Sequence, residues 1–183
     1  MVHDPIGPHP SNWWREGWFV LLASGASIFV IGLAALLTHE PWIFPSLGPT
    51  AYILFAAPMT VEACPRNVLV SHFIGIASGV VAIAVFGLLG GADVHNELTL
   101  RRVAAVTLAL VLTFALMTWL RVPHAPAGAT TMIVALGVLH GVRDYVVMML
   151  AVFALVLMAA GINRLHGDRT PWWGPKPTSK AAV

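Results

Sequence analysis

Charge is what this 183-residue chain has least of. Only 10% of its residues are Asp, Glu, Lys or Arg, against roughly a quarter in soluble domains. So few charges cannot cover a water-exposed surface, which excludes a soluble globular protein. Cysteine is nearly absent: Cys64 stands alone, ruling out an intrachain disulfide and a multi-cysteine metal site. Basic runs are missing as well. The formal net charge is +2 and no run exceeds Arg101-Arg102, so nucleic acid is not an expected partner. There is no HExxH pairing, no GxSxG elbow, no GxxxxGK[ST] loop and no carboxylate cluster, and His95 and Glu97 fall in a loop. On that basis no metal, no cofactor and no enzymatic activity are expected. The polar tails, 1–17 and 164–183, are too short to build a core.

What fills the chain is apolar, 58% of its residues with a mean hydropathy of +0.81. Four stretches, about 18–38, 68–89, 103–120 and 144–163, approach the roughly 20 residues a bilayer crossing takes. The first is too long for a signal h-region and lacks a small-x-small cleavage site, so it reads as a retained span. Trp13, Trp14 and Trp18 crowd its start, and Trp172-Trp173 follow the last span, as expected where an indole ring meets the lipid headgroups. Gly75-x-x-x-Gly79 offers a face that another helix can approach closely.

Between spans one and two, and between three and four, the connectors are also apolar. The stretches 51–58 and 129–139 are nonetheless too short to cross at about 1.5 Å per residue. Each follows a Gly/Pro-containing turn, and the two turns nearly spell each other. Ser46-Leu47-Gly48-Pro49-Thr50-Ala51-Tyr52-Ile53 and Pro126-Ala127-Gly128-Ala129-Thr130-Thr131-Met132-Ile133 place Gly, Thr and Ile at one offset of 80 residues. The pattern predicts an all-α integral membrane protein of two tandem repeats, about 18–90 and 101–163 within one membrane domain, 18–163. Each repeat is a span, a re-entrant half-helix and a second span. Full crossing by the short helices is the alternative, giving six spans and an inverted repeat. Under four spans, Arg15, Arg101, Arg102, Arg164, Arg169, Lys176 and Lys180 face one side, with Arg66, Arg121 and Arg143 opposite. That bias puts both termini in the cytoplasm, and the six-span count gives the same orientation.

A helix start leaves unpaired N–H groups and a partial positive charge. Two such starts in one bundle would suit an anion, so Gly48, Thr50, Gly128 and Thr130 are the candidate binding residues. The plainer reading of each is a tight turn capped by threonine. Arg66, Asn67, Arg143 and Asp144 open the following spans, where they either line the path or sit among headgroups. His39, His72, His124 and His140 lie near these elements. His72, early in the second span, is either a proton relay or a core histidine bonded to a helix carbonyl.

The stretch Phe44-Pro45-Ser46-Leu47-Gly48-Pro49-Thr50-Ala51, then Pro65-Arg66-Asn67 with His72, then His124-Ala125-Pro126-Ala127-Gly128-Ala129-Thr130 resembles the HPP family of small integral membrane proteins. The resemblance covers about 18–163 and implies four transmembrane segments. Two departures stand out: Ala125 replaces the middle proline of the His-Pro-Pro signature, and Cys64 stands where glutamine is usual. Members in cyanobacteria and chloroplasts are associated with nitrite transport. The resemblance therefore implies a transporter or channel for a small monovalent anion such as nitrite, in keeping with the helix-start argument. His124 joins the path-supporting residues on the same grounds. A membrane scaffold, a lipid-binding module and a carrier of neutral solutes remain alternatives. The expected setting is a bacterial inner membrane, with membrane lipids around a homo-oligomer, dimer or trimer, packed through Gly-rich faces.

Overall fold

The computed structural model describes residues 13–90, 98–139, 141–167 and 171. Trp172, Trp173, His95, Glu97, His140, Arg169, Lys176 and Lys180 lie outside these, and with them the second tryptophan pair and part of the charge bias. Among the described residues the structure is all-helical: α1 (Trp13–Thr38), α2 (Leu47–Ala56), α3 (Pro65–Val85), α4 (Leu100–Trp119), α5 (Ala127–Leu136) and α6 (Val142–His166). Four of these, α1, α3, α4 and α6, are long and apolar enough to cross a membrane. At ten residues each, α2 and α5 are about 15 Å long. That is half of a hydrocarbon core of roughly 30 Å, and neither crosses alone.

Local chemistry sets the boundaries. Pro65 occupies the first turn of α3, where its missing N–H costs nothing and its φ is already helical. The second span therefore starts three residues before the expected 68. It stops at Val85 rather than 89, because Gly87 takes a left-handed φ of +61°. Thr99 caps α4 by accepting from the Arg102 N–H. The first span starts at Trp13, five residues before its expected edge, with Glu16 in its first turn against the positive end of the helix dipole.

The sequence likeness of the two short stretches has a counterpart in the backbone. α2 and α5 have equal length and lie 80 residues apart, and the residue before each is in the right-handed helical region. The turns that lead into them open the same way: His39 and Arg121, just past α1 and α4, hold left-handed φ of 57° and 55°. Packing follows the same scheme. α2 lies against α1 and α6, and α5 against α4 and α3, so each short helix contacts the first helix of its own half and the third of the other. α3 also packs on α4 and α6, and α1 on α6.

Two kinds of core hold this together. Leu54, Phe55, Met148, Val152 and Leu155, all buried, form the larger apolar cluster around α2 and α6. Around α3, α4 and α5 the contact is made by small residues: Ala82, Ala109 and Ala135 are fully buried against one another. On the outside, Leu22, Phe29, Leu36 and Leu37 of α1 are exposed, as an apolar helix facing lipid must be. The Gly75/Gly79 face was expected to serve contact between helices. Here it serves α5 of the same chain: a Cβ at Gly75 would lie 2.8 Å from Ala127 O, and one at Gly79 2.7 Å from Val134 Cγ1.

A helix that ends inside a membrane protein must satisfy its last carbonyls. Both short helices do so with a buried side chain from another helix. Asn163 Nδ2 of α6 donates to Leu54 O of α2 at 2.8 Å. Arg102 Nη1 of α4 donates to Ala135 O of α5 at 3.2 Å. Just beyond, Gly137 turns the chain with φ +81°, and a side chain there would meet the Arg102 guanidinium.

Candidate functional site

Four buried polar side chains from three helices and one turn meet where α2, α3 and α5 begin. Thr50, His72, His124 and Thr130 are each 0% exposed. Thr50 and Thr130 occupy equivalent places, the fourth residue of α2 and of α5. His72 stands between them. Its Nε2 lies 3.2 Å from Thr50 Oγ1 and its Nδ1 2.7 Å from Thr130 Oγ1. His124, in the turn before α5, places Nε2 3.2 Å from Thr50 Oγ1 and Nδ1 2.9 Å from Glu62 O. The two imidazole centroids are 5.2 Å apart.

Partner chemistry assigns the protons. A carbonyl only accepts, so His124 Nδ1 carries its hydrogen. With that ring neutral, His124 Nε2 holds a lone pair and needs a donor, and the Thr50 hydroxyl is the group in reach when it turns from Ser46 O, 2.8 Å away, toward the ring. Thr50 then has no proton to offer His72, so His72 Nε2–H donates to Thr50 and its Nδ1 accepts from Thr130. The result is a directed chain, Thr130 to His72 to Thr50 to His124 to the Glu62 carbonyl, with every member satisfied, as a buried polar network requires.

Most of the amides expected to face a ligand are otherwise engaged, the exposed Gly48 being the exception. At α5, Ala127 N–H donates to His124 O, Gly128 N–H to Ala125 O and Ala129 N–H to Pro126 O. At α2, Leu47 N–H donates to Phe44 O and Thr50 N–H to Ser46 O, while Pro49 has none to give. Polarity at these helix starts comes from hydroxyls and imidazoles. Ser46 adds one more hydroxyl: it is 0% exposed and lacks a hydrogen-bond partner among the described residues.

The two glycines of the repeat differ in surroundings. Gly48 is exposed, and a Cβ added there would meet nothing within 4 Å. Gly128 is buried, and a Cβ there would lie 3.3 Å from the Phe114 ring. Asn67 is buried and donates to Val61 O at 2.8 Å, tying the turn before α3 to that helix. Arg66 is exposed. Arg143 pairs with Glu40, in the turn after α1, and Asp144 lies half-buried in the first turn of α6. The structure thus gathers Thr50, Thr130, His72 and His124 into one cluster and leaves Arg66 and Arg143 at the periphery.

Sequence reasoning missed Ser71, which donates to Val122 O, and the Thr113–Thr131 pair, 2.8 Å apart. Both sit beside the cluster and tie α3 and α4 to the α5 region. Nothing in their local sequence distinguishes them from ordinary span threonines and serines. A recess of about 430 Å³ opens next to the His124 turn, lined by Val61, Phe114, Met117, Thr118, Arg121 and Pro123. Phe114 therefore borders the recess on one side and covers Gly128 on the other.

Comparison with known proteins agrees with this architecture. The model of the HPP transmembrane region matches residues 9–171. A transmembrane protein of Dictyostelium discoideum is 28% identical over 168 residues, covering 86% of this chain. The chain spans 55% of that relative's length. No solved structure matches.

Proposed function

The chain belongs to the HPP transmembrane family, and from that premise and the buried cluster we propose that it conducts a small monovalent anion, with nitrite the first candidate. The observation that carries this reading is the meeting of Thr50 and Thr130, the duplicated threonines, on one histidine. Pairs of broken helices that converge on one polar locus are a recurring way to bind a solute within a membrane. The recess supports the reading. It brings a cation, Arg121, and the Thr118 hydroxyl to the outer side of Phe114, where an anion would be drawn in before it reaches Gly128 and Thr130. Arg66 adds positive charge at the start of α3, and Asn67 braces that helix start. Arg143 and Asp144 act at the start of α6 as supports. The short helices enter the membrane and return, both termini face the cytoplasm of a bacterial cell, and the working unit is a homo-oligomer. No catalytic step is involved.

Purified protein in lipid vesicles tests this directly, with uptake measured for nitrite, nitrate, formate and chloride against empty vesicles. Nitrite uptake above the empty control is expected. Thr130→Val is expected to lower it by tenfold or so, since removing one hydrogen bond to a polar or charged group costs about 1.5 kcal/mol. Uptake equal to that of empty vesicles, with correctly folded protein, would refute the proposal.

A further inference from the structure

The cluster contains a hydroxyl with two places to put its proton. Thr50 Oγ1 lies 2.8 Å from Ser46 O and 3.2 Å from His124 Nε2. While His124 is neutral, Thr50 serves it as donor. If His124 gains a proton, its Nε2 becomes a donor, and the Thr50 hydroxyl has only to turn toward Ser46 O to become the acceptor. His124 Nδ1–H remains on Glu62 O throughout. Thr50 Oγ1 then accepts from both His72 and His124, which its two lone pairs allow. No heavy atom moves, and no buried donor or acceptor of the cluster is orphaned in either state.

We propose that His124 is a proton-binding site and that the Thr50 hydroxyl is the rotor that accommodates both of its states. The proton comes from water or from the acid form of the solute, forms the Nε2–H bond, and leaves by the reverse step. His124 is faced by His72 from α3, by Thr50 from α2 and by the Glu62 carbonyl from the turn before α3. Among the described residues His72 is the titratable ring beside it; half-buried Glu62 and exposed Arg121 flank the same turn, and no ion pair joins either side chain to His124. The α5 sequence has no titratable group, Tyr52 of α2 is exposed, and Arg102 is at the far end of α4, in its first turn. His72, with its ring 5.2 Å away, stays neutral, because two imidazolium groups at that distance repel. A buried imidazolium without a counter-charge is costly. Resting on the anion reading above, the proton is therefore taken up together with the anion, and the pair moves without net charge.

The test is a ¹⁵N NMR titration of histidine-labelled full-length protein in lipid nanodiscs, with His124 assigned by loss of its signal in His124→Gln. At pH 8 the ring is expected as the Nδ1–H tautomer, and on acidification Nε2 gains the proton. Sodium nitrite is expected to move that protonation to higher pH. Thr50→Val is expected to move it lower by about one pH unit, because the charged ring loses a stronger hydrogen bond than the neutral one does. Thr50→Ser is expected to behave as the wild type. An Nε2–H tautomer in the wild type at pH 8 would overturn the proposal whether or not the variants fold, and so would equal titration of Thr50→Val and wild type. Vesicle uptake separates the two readings. A Thr50-dependent titration without nitrite uptake supports the proton site and removes the anion reading. Nitrite uptake with the wrong tautomer removes the proton site and leaves anion transport standing.

Discussion

Adding a single methyl group at Gly75 tests the joint between α3 and α5, the two helices that carry His72 and Thr130. In Gly75→Ala the new Cβ would lie 2.8 Å from Ala127 O and 2.9 Å from Thr131 Oγ1. The first of these is backbone and cannot rotate away. Restoring an ordinary 3.4 Å contact moves α5 outward by about 0.6 Å in a region packed without slack. That shift is enough to stretch the 2.7 Å His72–Thr130 bond toward the limit of a useful hydrogen bond, roughly 3.2 Å. Overpacking costs about 1–3 kcal/mol, and replacing glycine by alanine in a helix returns about 0.5–1 kcal/mol. The net loss is about 0–2.5 kcal/mol, and each kcal/mol lowers the thermal midpoint by about 2–4 °C for a chain this size. Gly25→Ala is the control. Its methyl meets nothing within 4 Å, so only the helix-propensity gain remains and the midpoint should rise slightly. Thermal unfolding in one detergent reads both, and the His72 ring resonance reports the hydrogen bond. If Gly75→Ala unfolds at or above the wild-type temperature with that resonance unchanged, the close approach of α3 and α5 is wrong.

Three further outcomes follow from the same geometry. Asn163→Leu leaves Leu54 O without its buried donor and should cost about 1–3 kcal/mol, read by thermal unfolding; a neutral result would mean that water caps α2 equally well. Arg102→Leu should cost at least as much, because a charged donor to the α5 carbonyl end is lost. Faster amide hydrogen exchange in α5 than in α2 would locate the effect. Arg121→Gly should relieve a left-handed backbone and raise stability by about 1 kcal/mol, yet slow nitrite uptake by removing the cation of the recess. His39→Gly should share the stabilisation and leave uptake unchanged.

Much of the architecture was legible in the chain alone. Low charge with four apolar stretches is enough to specify spans, because a bilayer rewards nothing else of that length. The offset between Gly48 and Gly128 located both short helices to within a few residues, since Gly and Pro set where such helices start. Thr50 and Thr130 were legible as a pair for the same reason. Their partner was not: His72 was weighed beside three other histidines that look alike in sequence. The roles of Arg102 and Asn163 were also hidden. Arg102 reads as one of two basic residues at a membrane edge, and only the position of α5 turns it into a cap.

The sequence by itself determined the membrane class, the family and the likeness of the two Gly-x-Thr starts, because composition, length and a fixed offset are properties of the chain in one dimension. Tertiary structure alone decided what those starts are made of. Most of the backbone amides expected to hold an anion are spent on tight turns. The polar centre is a hydroxyl–imidazole chain built from residues 50, 72, 124 and 130. The reason is physical. A hydrogen bond depends on atoms within about 3 Å, and which side chains come that close is set by helix packing, here by two glycines that let α5 press against α3.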